Sequence, residues 1–173
     1  MTSIWYSKPK FKVHKLIDTF HGKVLFEMTR SLHGACADLG CGIQGAKPFF
    51  EKYTGFDLPD FDIYTTDTEC LEDFEIILMN ALLDVLDKPL DALNRVVGVA
   101  REYIVIHRQE FTYNPTSISK EPAYGGWTFH SRINWDDFQE VISRKFYVVD
   151  YRKLAFDNWE DGGVSLVLKK YKK

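Results

Sequence analysis

The run Cys36-Ala37-Asp38-Leu39-Gly40-Cys41-Gly42-Ile43-Gln44-Gly45 constrains this chain more than any other stretch. A short apolar segment ends in an acid, and glycines follow in the spacing Gly-x-Gly-x-x-Gly. That is the grammar of a buried strand, a tight turn and a helix start, the place where open α/β sheets bind nucleotide-like ligands. Ordinary loops also carry this spacing, so the flanking segments decide the reading.

Those segments alternate in the manner of a doubly wound sheet. Residues 15–32 read as a helix, with Leu16, Phe20, Val24 and Met28 forming an apolar stripe, Gly22 weakening its middle and Gly34 stopping it. Residues 35–39 form the first strand. A short helix follows, limited by Pro48 to its first turn. Residues 53–56 give a second strand and residues 61–65 a weak third one. No crossover helix fits between Asp57 and Asp67. Residues 74–79 are a strong strand. A helical turn over residues 80–86 precedes a helix with Asp87 as N-cap and Pro89 in its first turn. Residues 102–107 form a fifth strand. Residues 111–132 are aromatic, rich in Gly, Pro and Ser, and read as a long loop of the functional sort, covering the substrate side. Asn134 caps a last helix. Residues 146–151 and 164–168 then pair as antiparallel neighbours, joined by a polar turn holding Asp157, Asn158, Asp161, Gly162 and Gly163. The expected fold is a Rossmann-like α/β domain, doubly wound, with a sheet of about seven strands, mostly parallel, the last antiparallel.

A length of 173 residues points to one domain, with residues 1–34 as arm and helix and residues 35–173 as the α/β core. Ile4, Trp5 and Tyr6 make the arm too apolar to be left in water. A net charge of -3 lacks the basic footprint of a nucleic-acid binder. Three cysteines, Cys36, Cys41 and Cys70, are an odd number without Cys-x-x-Cys spacing, which fits buried thiols in a reducing compartment. His14, His21 and His33 show no ligand spacing with cysteines or acids, so no metal is expected. No run reaches membrane-spanning length and no signal-peptide pattern opens the chain. The expectation is a soluble, cytoplasmic protein with no membrane partner. A homo-oligomer is compatible with these features.

Three acids stand just past successive predicted strands: Asp38, Asp57 and Asp67. Strand carboxyl ends converge on one edge of such a sheet, so all three face one crevice. A carboxylate after strand two can accept from both hydroxyls of a ribose, and one after strand three can accept from a base amine. Singly, each is an ordinary turn acid; together with the glycine turn they point to a nucleoside-bearing ligand.

Asp38-Leu39-Gly40-Cys41-Gly42, Tyr53-Thr54-Gly55-Phe56-Asp57, Asp67-Thr68-Glu69-Cys70-Leu71 and the block Phe74-Glu75-Ile76-Ile77-Leu78-Met79-Asn80-Ala81-Leu82-Leu83-Asp84-Val85-Leu86 with Pro89 resemble class I S-adenosylmethionine-dependent methyltransferases, most of all the small "type 11" group. The resemblance covers residues 35–107. It implies that Gly40, Cys41 and Gly42 lie against the methionine part of the cofactor with Asp38 near it. It further implies that Asp57 holds the ribose, Leu58 packs on adenine, Asp67 and Thr68 reach the adenine amine, and Met79 and Asn80 line the methyl side. S-adenosylhomocysteine is the implied product. The chain departs from the group in four places. Asp84-Val85 stands where many members have Glu-His, and the third glycine is displaced to Gly45. The crossover between strands two and three lacks its helix. Arg101-Glu102-Tyr103 replaces a Pro-Gly-Gly turn.

The methyl acceptor is read from residues past strands four and five. His107 and His130 are the candidate general bases, since imidazole titrates near neutrality. Arg108 and Arg132 are candidates for an anionic acceptor, and Tyr113, Tyr124 and Trp127 for a planar one. Each is equally a packing or surface residue when taken singly. Two readings stand: a methyltransferase acting on a small molecule, and a non-catalytic binding or regulatory protein of the same fold. A nicotinamide-dependent oxidoreductase uses the same glycine spacing but fits the block after residue 74 less well.

Overall fold

The computed structural model describes residues 15–123, 126–155 and 163–172. The predicted arm with Ile4, Trp5 and Tyr6, His14, the loop residue Tyr124 and the turn residues Asp157, Asn158, Asp161 and Gly162 lie outside the described residues.

The first helix is shorter than its apolar stripe implies. Helix α1 spans Phe20–Thr29, preceded by a 3-10 turn at Leu16–Asp18. Thr19 divides the two: its hydroxyl accepts from Gly22 N and donates to Leu16 O. Gly22 is therefore no weak point. A Cβ there would collide with the Leu16 carbonyl, so the glycine is what lets the 3-10 turn fold back on α1.

Strands β1 (Ala35–Leu39), β2 (Lys52–Phe56), β3 (Ile76–Asn80) and β4 (Tyr103–Thr112) follow, with β1 parallel to β2 and β3, and β3 parallel to β4. Helix α2 (Pro89–Val99) connects β3 to β4, and helix α3 (Trp135–Ile142) precedes β7 (Phe146–Leu154) and β8 (Gly163–Lys170). Strand β8 pairs antiparallel with both β4 and β7, as the sequence predicts for the last strand. Asn134 caps α3, its side chain accepting from Asp136 N and Asp137 N. For α2 the N-cap is Lys88 rather than the expected Asp87, and Lys88 N donates to Tyr64 Oη instead.

Alternation along the strands sorts the core into two layers. Ala37, Leu39, Ile77, Met79, Ile104, Ile106, Leu166 and Leu168 pack under α2 and α3. Cys36, Ile76, Leu78, Val105 and Val167 pack with Leu25 and Met28 of α1 and with Ala46. The doubly wound expectation holds.

Two expectations do not. Residues 61–65 form no strand. Phe61 and Ile63 are buried as a strand would bury them, but Asp62 Oδ1 accepts from Tyr64 N, and Phe61 N and Thr66 N close turns onto Asp57 O and Asp62 O. Aspartate turn chemistry wins over the alternation. Phe61 and Phe74 meet Phe56 edge to face, and Arg95 of α2 donates to Thr66 O, so the loop fills the space of a crossover helix. Second, residues 111–132 are not an open loop. They hold the end of β4 and an antiparallel hairpin of β5 (Ser117–Ala123) and β6 (Gly126–Asn134). Strand β6 runs parallel to the end of β4 over only three residue pairs, Glu110–Arg132 to Thr112–Asn134. The described sheet thus has eight strands, where the sequence gives about seven.

Candidate functional site

Register places the chemistry on one edge. Asp38 and Leu39 pair with Gly55 and Phe56 of β2 and with Leu78 and Met79 of β3, and Asn80 pairs with His107 of β4. Residues 40–42, Asp57, Asn80 and His107 therefore stand at the carboxyl edge of three adjoining parallel strands and their edge neighbour.

The glycine turn is held from two sides. Gly40 N and Cys41 N donate to Phe56 O, at 2.8 and 3.2 Å. Gly42 N donates to Asp57 Oδ2 at 2.8 Å, and Leu58 N donates to Asp57 Oδ1 at 2.9 Å. Gly40 (φ +69°) and Gly42 (φ +48°) occupy the left-handed region. A Cβ on Gly40 would press on Leu82 Cδ1, whereas one on Gly42 would meet nothing within 4 Å. The turn is packed at its first glycine and open at its second. Gly55, directly across, lets Cys41 Sγ approach where a Cβ would stand.

Asp38 is buried, at 1% exposure. Tyr53 Oη donates to its Oδ2 at 2.6 Å, while Oδ1 has no partner among the described residues. Burial raises the Asp38 carboxyl to about 7; the Tyr53 hydrogen bond opposes that rise and the charge of Asp57 adds to it. Asp57 and Leu58 are exposed. Asp67 is exposed as well, its Oδ1 accepting from Glu69 N, with Thr68 heading the 3-10 turn Glu69–Leu71. Met79 is fully buried in the α2 layer. Asn80 Oδ1 is buried and unpartnered among the described residues.

The acceptor-side candidates divide. His107 is buried; its Nδ1 lies 2.6 Å from Ser165 Oγ, and its Nε2 has no partner among the described residues. Burial, then the charges of Arg108 and His21, push the ring down to about 3, so it is uncharged at neutral pH. Arg108 sits in the left-handed region (φ +64°) where β4 changes register against β8. His130 has a carboxylate at each ring nitrogen: Glu110 Oε2 at 3.0 Å from Nε2 and Glu121 Oε1 at 3.4 Å from Nδ1. Arg132 Nε lies 3.0 Å from Glu110 Oε1. Glu110, with no exposure, thus ties β4 to β6 through both candidates. Tyr113 is exposed, and Trp127 is half exposed with Lys120 Nζ 5.9 Å from its ring.

Sequence reasoning passes over three groups here. Glu110 falls where the strand is expected to have ended. Tyr53 reads as a plain strand aromatic. Asp84 figures only as a departure from a family pattern, yet it is buried at 8% exposure, with Oδ1 unpartnered among the described residues. Burial raises its carboxyl to about 6, against the lowering charges of Arg108 and His130. No group of three or more possible metal ligands occurs among the described residues. None of the described helices is long and apolar enough to cross a membrane.

The sequence matches no protein-family model and no curated protein. Solved structures do match. The N-methyltransferase NodS of Bradyrhizobium japonicum WM9, in complex with S-adenosylhomocysteine, aligns with a TM-score of 0.62 at 10% identity, covering 97% of this chain and 95% of that one. The 1,6-didemethyltoxoflavin-N1-methyltransferase of Burkholderia thailandensis, with 1,6-didemethyltoxoflavin and S-adenosylhomocysteine bound, gives 0.60 at 13% identity over 86% of this chain and 76% of that one. The magnesium protoporphyrin IX methyltransferase of Synechocystis PCC 6803, with S-adenosylhomocysteine bound, gives 0.60 at 8% identity over 86% and 81%. The chain therefore has the class I S-adenosylmethionine-dependent methyltransferase fold.

Proposed function

We propose that this chain is a methyltransferase that binds S-adenosylmethionine at the carboxyl edge of β1 and β2 and methylates a small molecule. The observation that carries the reading is the pair of carboxylates around the glycine turn. Asp38 keeps one buried oxygen without a donor, which is costly unless a ligand supplies one, and the amino group of the methionine part is such a donor. Asp57 spends one lone pair on each oxygen holding Gly42 and Leu58, and retains two for a vicinal diol. The open side of Gly42 leaves room for close approach. Gly40 and Cys41 present backbone beside it, Leu58 offers an exposed apolar surface for adenine, and Asp67 with Thr68 lies next along the chain. Met79 acts from within the core, setting the position of Asn80. Bound there, S-adenosylmethionine supplies an electrophilic methyl group.

Transfer of a methyl group is mostly a matter of positioning and exclusion of water. The β5–β6 hairpin, with Trp127 and the Glu110 ties, is the cover for the acceptor, and Arg108 borders it. His107 and His130 act here as neutral or carboxylate-held rings that shape the acceptor side. Two of the solved neighbours named above are named for small-molecule acceptors, 1,6-didemethyltoxoflavin and magnesium protoporphyrin IX, which supports the same class of acceptor here.

Titration calorimetry of the purified protein with S-adenosylmethionine, S-adenosylhomocysteine and NAD tests the cofactor. Binding of the first two and not the third is expected; no binding, or comparable binding of NAD, overturns the reading. Methyl-labelled S-adenosylmethionine incubated with a cell extract tests the acceptor class. Label in the low-molecular-weight fraction is expected, and label confined to macromolecules contradicts it. A non-catalytic binding protein, the second reading, is favoured by the full engagement of His130 with Glu110 and Glu121, and it predicts binding without any transfer of label.

A further inference from the structure

Residues 57–75 join β2 to β3 with no helix longer than the 3-10 turn Glu69–Leu71, so this loop takes its shape from ties to its neighbours. Two of those ties run to the helix α2 segment. Tyr64 Oη accepts from Lys88 N at 3.1 Å, and Arg95 Nη2 donates to Thr66 O at 2.6 Å. Thr66 is also gripped from within the loop. Its N–H donates to Asp62 O and its hydroxyl accepts from Asp62 N, both at 2.8 Å. The carbonyl that Arg95 holds belongs to the peptide bond leading into Asp67.

Asp67 itself is exposed, so packing does not hold its carboxylate. Its Oδ1 accepts from Glu69 N at 3.0 Å. Past it, Leu71 N donates to Thr68 O at 3.0 Å, and Leu71 is fully buried. Asp67 therefore stands between two fixed points, the Arg95 bond before it and the buried Leu71 after it. Arg95 is half-buried, and its Nε is shielded from water with no partner among the described residues. A shielded donor without an acceptor is costly. Packing alone does not account for an arginine there, because an apolar side chain of similar length would cover the same surface without that cost. The short, charge-assisted bond to Thr66 O is what the guanidinium adds.

We propose that Arg95 is a positioning residue for the base of the cofactor: through Thr66 it holds Asp67 in place to accept from the exocyclic amine of adenine, and so sets the preference for that base. The role rests on the methyltransferase reading above, in which Asp67 reaches that amine. A carboxylate fixed before the ligand arrives spends no binding energy on being ordered. Released from its anchor at Thr66, Asp67 can still meet the amine, but the ordering it then requires offsets the bond. The ribose and methionine contacts proposed for Asp57, Asp38 and the glycine turn do not pass through Arg95, so they survive its loss.

Calorimetry on the full chain compares S-adenosylhomocysteine with its analogue whose base is unsubstituted purine, lacking the exocyclic amine. The unmodified protein is expected to bind S-adenosylhomocysteine at least about tenfold more tightly than the analogue. Arg95→Met keeps an unbranched apolar stem and loses the donors. In it the ratio is expected to fall to about two or less, while affinity for the purine analogue changes by less than about twofold. Arg95→Lys still offers one N–H to one carbonyl, and is expected to keep the ratio above about fivefold. Arg95→Gln carries the expectation of Arg95→Met if that variant does not fold by circular dichroism. A ratio near one in the unmodified protein, a ratio that survives loss of the arginine, a ratio that Arg95→Lys does not keep, or an equal loss of affinity for both ligands in Arg95→Met overturns the role of Arg95 and leaves cofactor binding intact. Failure of both ligands to bind the unmodified protein overturns the methyltransferase reading, and the base preference falls with it.

Discussion

Tyr53 donates its hydroxyl to Asp38 Oδ2 at 2.6 Å, joining β2 to the acid that ends β1 just before the glycine turn. The bond is short, but it does not offset the burial of Asp38, whose carboxyl stays up at about 7. In the folded protein that proton is kept until about pH 7, whereas the unfolded chain releases it near pH 4. The stability that protonated Asp38 contributes is therefore complete below about pH 4 and is lost as pH rises through about 7. Asp38→Asn escapes this loss. Its urea midpoint is expected to rise above that of the unmodified protein as pH goes from 4 to 8, by an amount worth about 2–4 kcal/mol at the upper end. A gap that does not change with pH contradicts a protonated Asp38.

His107 moves in the opposite direction. Its ring is pushed down to about 3 by burial first and by Arg108 and His21 after that. The stability gained by keeping it neutral is complete above about pH 6.5 and is lost as pH falls toward 3. Ring carbon–proton resonances followed by NMR from pH 8 to pH 5 are expected to stay still for His107. A shift with its midpoint near 6.5 contradicts the buried, uncharged ring beside Ser165.

The glycines of the turn separate backbone strain from ligand space. Gly40→Ala and Gly42→Ala each place a side chain in the left-handed region, at about 1–2 kcal/mol. Gly40→Ala also displaces Leu82. Gly42→Ala meets no protein atom, yet it fills the open side of the turn. It is expected to weaken S-adenosylhomocysteine binding at least tenfold while lowering stability less than Gly40→Ala does. Gly98→Ala, in the exposed last turn of α2 with open space around it, serves as a control. It is expected to raise stability by about 0.5–1 kcal/mol without changing affinity.

The β5–β6 hairpin is tied to β4 by Glu110. Three residue pairs join β6 to β4, and the buried carboxylate between Arg132 and His130 adds to that attachment beside the Ser131 hydrogen bonds and buried Ile133. Arg132→Ala leaves that charge with one fewer cation, and is expected to cost about 3 kcal/mol. Hydrogen exchange should report the loss locally, with the amides of residues 126–134 exchanging faster than those of β1 and β3. Uniform exchange across the sheet would mean that the hairpin is not a separate unit.

Much of this architecture is written in local patterns. The strand ending in Asp38, the glycine turn, the Asn134 cap and the antiparallel β8 all follow from residue types whose conformational preferences agree with their surroundings. The misses have particular causes. Phe61 and Ile63 are buried at alternate positions without being a strand, because Asp57 and Asp62 close turns around them. The hairpin is hidden because Ser117, Ser119, Lys120 and Glu121 carry no apolar alternation, and β6 attaches through one buried apolar side chain, Ile133, together with the polar ties of Ser131 and Arg132. Within the site, Asp38, Gly42 and Asp57 are legible because their chemistry is fixed by backbone position. Asp84 and Glu110 are not, since their burial is decided by β4 and β6 meeting from distant parts of the chain.

The central claim is that Asp57, held by Gly42 and Leu58, is the anchor of an S-adenosyl nucleoside site. Calorimetric titration of S-adenosylhomocysteine into the unmodified protein and into Asp57→Ala tests it most directly, with circular dichroism confirming the fold of both. One site per chain in the unmodified protein, weakened at least a hundredfold in Asp57→Ala, is the predicted result. Equal affinity in the two proteins, or none in either, contradicts the account.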